Sequence, residues 1–121
     1  MSLDVYLTII NRTNCPHCKE CVSEAEEDVF DRNITHNLNI MAGKAGVYEQ
    51  LWRPEEVGIF TAGQLIKPLT IGLKKLTEKP NYYKAFNPDN GWGTYEGLVS
   101  FISDYLEACI EYPEAKISTS K

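Results

Sequence analysis

The sequence predicts a small α+β domain, with a sheet of two or three antiparallel strands packed with three main helices. Three observations carry this. Residues 4–10 are rich in β-branched and aromatic types, with Val5, Leu7 and Ile9 on one face, the pattern of a half-buried strand. Two later stretches, Leu65 to Leu76 and Tyr95 to Cys109, repeat apolar residues every three or four positions, the period of a helix buried along one stripe. After Pro113, the run Ala115-Lys116-Ile117-Ser118-Thr119 is short and suits an edge strand, placed at 114–119. Strands beside helices in this proportion make one α+β domain of residues 1–121, with a hairpin at 3–31 and a helical part at 33–112.

Each element has a local reason. Between Val22 and Phe30 the glutamates and Ala25 favour helix, while Val29 and Phe30 favour strand; the reading is a charged second strand returning along the first. Asn33 is a good N-cap, so a helix is expected to open at Asn33-Ile34-Thr35-His36-Asn37, with Ile34, Leu38, Met41, Ala42 and Ala45 as its stripe and Gly46 ending it. Tyr48 to Pro54 reads as a connection carrying Leu51, Trp52 and Arg53. Thr61-Ala62-Gly63-Gln64 matches a capping box, and Leu65, Ile66, Leu69, Leu73 and Leu76 continue the helix it opens. Pro68 removes one hydrogen bond and should kink that helix, while Lys74 and Lys75 suit its dipole near the end. Pro80 can start a short helical turn through Tyr82, Tyr83 and Phe86. Asn87-Pro88-Asp89-Asn90-Gly91-Trp92-Gly93 reads as a tight turn that delivers Trp92 to the last helix, capped by Thr94. Tyr95, Leu98, Val99, Ile102, Tyr105, Leu106 and Cys109 form that helix's core face, and Pro113 stops it.

Composition narrows the function. A chain of 121 residues, 43% hydrophobic, fits one core, and no apolar run approaches the roughly 20 residues that span a bilayer. The start of the chain lacks the basic segment of a signal peptide, so the expected location is the cytoplasm, with no membrane partner. The net charge is −5, and the lysines and arginines are scattered along the sequence. Glu20, Glu24, Glu26, Glu27, Asp28 and Asp31 form an acidic run that would repel a phosphate backbone, so no nucleic-acid partner is expected.

Three segments, Asn33-Ile34-Thr35-His36-Asn37-Leu38, Leu51-Trp52-Arg53-Pro54-Glu55-Glu56 and Asn90-Gly91-Trp92-Gly93-Thr94-Tyr95-Glu96, give the chain a resemblance over about residues 28–118. It resembles a family of small uncharacterised proteins of bacterial genomes and of phages or prophages. The resemblance implies a shared fold and surface of bacterial or phage origin, and no reaction.

The cysteines open two chemical readings. Cys15, Cys18 and Cys21 lie within seven residues, a clustering that in a cytosolic chain points to metal or redox chemistry before structural disulfides. Zinc takes four thiolate or imidazole ligands, so Cys15, Cys18 and Cys21 with His36 as the fourth would make a site, and zinc is the one cofactor expected. A complete zinc ribbon would carry a second Cys-x-x-Cys, which is lacking. In the redox reading, Cys15-Pro16-His17-Cys18 resembles the active-site segment of thioredoxin-fold oxidoreductases, with Cys15 as nucleophile and Cys18 resolving. Three reduced thiols on a hairpin turn are the plain alternative. Cys109, in an apolar stripe, reads as a buried inert thiol.

A second constellation is polar and aromatic. Asn33, Thr35, His36 and Asn37 on one side, and Asn87, Asn90 and Tyr95 on the other, are dense in groups that pair with backbone, so the two stretches are expected to meet, with Trp92 between them. Trp52, Trp92 and Tyr95 are candidates to stack a flat ligand or to anchor the core, and Arg53 to clamp an anion or to pair with a glutamate. A general acid–base role would rest on His36 alone. The leading expectation is a small binding or interaction protein for a protein or small polar ligand; the enzyme alternatives are a thiol-disulfide oxidoreductase at Cys15 and Cys18, or a hydrolase-like activity around His36.

Overall fold

The computed structural model describes residues 2–14, 22–88 and 93–120, the side chains of 10–14 and 22–25 excepted. Strand β1 (Ser2–Asn14) and strand β2 (Val22–Thr35) run antiparallel along their whole length, from Ser2 opposite Thr35 to Asn14 opposite Val22. Leu7 faces Phe30 but Thr8 faces Asp28, so Val29 is an extra residue on β2, a bulge that resets which side chains point inward. Strand β3 (Lys116–Ser120) pairs with β1 between Asp4 and Thr8 as the other edge, giving the order β2-β1-β3. The charged second strand and the C-terminal edge strand are thus both present, and the fold is α+β as expected.

The helices are α1 (Asn39–Lys44), α2 (Tyr48–Trp52), α3 (Ala62–Glu78), α4 (Pro80–Lys84) and α5 (Tyr95–Glu111). Leu3, Val5, Leu7 and Ile34 are buried on one face of the sheet, where α5 packs on β2 and α3 packs on α5. Burial of Leu65, Leu69 and Leu76 from α3, and of Leu98, Phe101, Ile102 and Tyr105 from α5, supplies the main hydrophobic stabilisation. Phe30 stacks on Tyr105 with ring centroids 5.4 Å apart, tying strand to helix. The first N–H groups of α3 find partners across the chain: Ala62 N–H donates to Ala115 O at 2.9 Å and Gly63 N–H to Pro113 O at 2.8 Å. The Thr61–Gln64 capping box is formed as well.

Two boundaries and one buried face differ from the expectation. Asn33 does not open a helix; it lies in β2 opposite Asp4, and the cap is Thr35, whose Oγ1 accepts from Asn37 N–H at 3.3 Å ahead of a single 3-10 turn, His36–Leu38. Ile34 explains the misreading: its spacing from Leu38 suits a helical stripe, but its side chain is buried on the sheet face beside Leu3. The expected connection at Tyr48 to Pro54 is helix α2, followed by a 3-10 turn at Pro54–Val57. Phe101, absent from the expected stripe of α5, is buried, whereas Val99 and Leu106 only border the core.

Candidate functional site

The corner where β2 ends is built around one side-chain pair. Trp52 Nε1–H donates to His36 Nδ1 at 2.8 Å, and the indole stacks on Tyr48 at 5.4 Å. Trp52 is 2% exposed, so its N–H needs an internal acceptor, and His36 supplies it. An imidazole that accepts at Nδ1 is neutral and carries its proton on Nε2. It therefore presents a donor, not a base, beyond the corner. No hydroxyl or thiol among the described residues hydrogen-bonds to it. His36 itself is half-buried, and Asn37 beside it is exposed.

The loop before α5 reaches the same corner. Gly93 has φ 101°, and a Cβ there would stand 2.6 Å from Thr35 Cγ2 and 2.9 Å from Leu38 Cγ, so only glycine allows this approach. On either side of Gly93 the loop is tied to the helix it opens. Asn87 Oδ1 accepts from Tyr95 N–H at 2.8 Å, and Thr94 Oγ1 accepts from Gly97 N–H at 3.0 Å; both are otherwise unpaired helix-start donors. The Tyr95 hydroxyl donates to Leu76 O at 2.7 Å, closing the far end of α3. The two polar stretches thus meet, at Gly93 and Thr35.

Burial favours one of the two readings of Trp52 and Tyr95. Trp52 and Tyr95 are core anchors with their polar atoms satisfied inside the protein, not rings open to a flat ligand. Arg53 is exposed, and its guanidinium is held above its usual range by a hydrogen bond it donates to the Tyr48 hydroxyl and then by Glu56, with Nη1 donating to Glu56 Oε2 at 3.3 Å. Its reading as a clamp gives way to that local pair. Asn33 lies apart from His36, lining an open groove of about 400 Å³ with Asp4, Tyr6, Asp31 and Arg32. Asn90 and Trp92 lie outside the described residues.

Cys15, Cys18 and Cys21 also lie outside the described residues, but their flanks are placed. Asn14 and Val22 pair at one end of the ladder, while His36 follows Thr35 at the other, along a strand of 13 residues and so roughly 40 Å away. The ladder carries His36 away from Asn14 and Val22. Among the described residues no three metal-binding side chains converge. Cys109 is buried, its thiol pushed up to about 12 by desolvation, which makes it inert as expected.

The sequence reading missed a second groove, of about 390 Å³, where Lys44, Lys75 and Lys79 converge. Comparison with protein-family models, with curated proteins and with solved structures finds no match for this chain. Among the described residues no helix is long and apolar enough to cross a membrane.

Proposed function

We propose that this chain is a small interaction protein of bacterial or phage origin, acting in the cytoplasm, which recognises a partner through the corner formed by His36, Asn37 and Gly93. The observation that supports it is the hydrogen bond from Trp52 Nε1–H to His36 Nδ1. With Nδ1 taken by the Trp52 N–H, Nε2–H is a rigid donor beside the exposed Asn37 amide, which suits recognition of an acceptor-rich surface. The same bond argues against a hydrolase role, since a general base needs an unprotonated nitrogen within reach of a nucleophile.

The test compares proteins captured from a bacterial lysate by the immobilised chain, by Asn37→Ala and by Lys67→Ala, an exposed change on α3 away from the corner. A partner held by the original chain and by Lys67→Ala, but lost with Asn37→Ala at unchanged melting temperature, supports the reading. Identical captures by all three, or a hydrolytic activity abolished by His36→Gln, would overturn it.

A further inference from the structure

Lysines far apart in the sequence meet in the groove between α1, the end of α3 and α4. Lys44, Lys75 and Lys79 line it with Glu78, Tyr82 and Tyr83. Three cations against one carboxylate give it a local excess of positive charge in a chain whose net charge is −5. That carboxylate already faces Lys74, with Glu78 Oε1 3.9 Å from its Nζ, while Lys44, Lys75 and Lys79 pair with no carboxylate among the described residues. The negative end of the α3 dipole is equivalent to about half a charge, too little to balance them. Charge this uncompensated is what a bound anion would neutralise.

The rest of the groove is aromatic. Tyr82 is 50% exposed, and its ring is set edge-on to Tyr83 at 5.0 Å and to Phe86 at 5.4 Å, which holds it in place. Lys44 Nζ lies 5.7 Å from the Phe86 ring centroid, so the cation rests against the same cluster. A supported, half-exposed ring is a stacking surface for a flat group. The other described grooves lack this combination: one pairs Asp4 and Asp31 with an Arg32 already engaged by Asp104, and one, about 230 Å³, contains Glu49 and no lysine.

We propose that this groove binds a nucleoside diphosphate, its phosphates between Lys44, Lys75 and Lys79 and its base against Tyr82. Ammonium groups act as point charges toward phosphate oxygens, and more than one phosphate is needed to meet three of them. The groove's volume falls in the range of small-ligand sites. This site is separate from the His36 corner and stands or falls independently of it.

The test is a titration of the labelled whole chain, followed by amide chemical shifts in low salt, with ADP, inorganic pyrophosphate and adenosine. The expected result is saturable shifts around Lys44, Lys75, Lys79 and Tyr82 with ADP, about tenfold weaker binding of pyrophosphate, and none with adenosine. Lys75→Gln with Lys79→Gln should weaken ADP at least about tenfold, Tyr82→Ala should bring ADP down to the affinity of pyrophosphate, and Lys67→Gln should change nothing. The shift pattern itself reports whether each variant is folded. ADP binding no tighter than pyrophosphate would overturn the nucleoside assignment. Absence of shifts at the groove, or shifts that persist in the double lysine variant, would overturn the site.

Discussion

The His36–Trp52 corner and the lysine groove hold similar ingredients, rings beside nitrogen donors, and treat them in opposite ways. At the corner the indole N–H and the first N–H groups of α5 find acceptors inside the protein. The groove is lined by three lysines and a single carboxylate, itself engaged elsewhere. A buried donor is costly to leave unpaired, about 1–3 kcal/mol, whereas an exposed ammonium is satisfied by water. Stability has therefore shaped the first arrangement and places little constraint on the second. Aromatic and polar density in a sequence does not distinguish them; the partner of each polar atom does.

The strongest way to break the comparison is Trp52→Ala. If the corner is structural, removing a ring that is 2% exposed should cost about 3–5 kcal/mol. Chemical denaturation measures it directly, and a loss under 1 kcal/mol would return Trp52 to the surface. Gly93→Ala should cost somewhat less, about 2–4 kcal/mol, because alanine at φ 101° is strained and its Cβ would press on Thr35 and Leu38. Full stability in that variant would mean that the loop does not lean on β2.

These expectations show how far the sequence could be read. Strands β1 and β3 and helices α3 and α5 were legible because periodicity and capping agree with the packing: Thr61 with Gln64 opens α3, and Leu98, Ile102 and Tyr105 keep α5 inward. The start of the first helical segment was not, because Ile34 satisfies both a helical stripe and a strand face, and only its pairing opposite Leu3 decides. Helix α2, with five residues, is too short to show a period. At the corner, the residue types of His36 and Trp52 were legible but their hydrogen bond was not, since 16 positions and the intervening helix α1 separate them. The lysine groove was invisible for the same reason: Lys44 lies in α1, whereas Lys75 and Lys79 lie in and after α3.

Alkaline pH sharpens the contrast between interior and surface. Burial pushes the Cys109 thiol up from 9.0 to about 12, and burial raises Tyr105 well above its ordinary value, with a smaller push from the neighbouring thiol. Both groups are neutral when protonated. Their raised folded values mean that the folded state is undiminished below pH 9 and loses stability as pH rises from about 9 towards 12, where the unfolded chain ionises first. Cys109→Ala should flatten that decline by roughly 2–3 kcal/mol at pH 11, read from the slope of stability against pH. A slope unchanged by the substitution would mean that the thiol ionises as freely folded as unfolded.

The smallest expected effect is on the groove. Lys79→Gln removes one of three like charges that have no carboxylate partner among the described residues, and it touches no buried contact, since Lys79 is exposed. Surface substitutions of this kind stay within about 0.5 kcal/mol, and here the sign should be a slight gain, because mutual repulsion is relieved. Repulsion between exposed charges is screened within about 10 Å at 0.1 M salt and within about 3 Å at 1 M. The gain should therefore be largest in dilute buffer and vanish at 1 M salt. If Lys79→Gln instead costs more than 1 kcal/mol at every salt concentration, the lysine is held by a structural contact, and the groove would resemble the His36 corner after all.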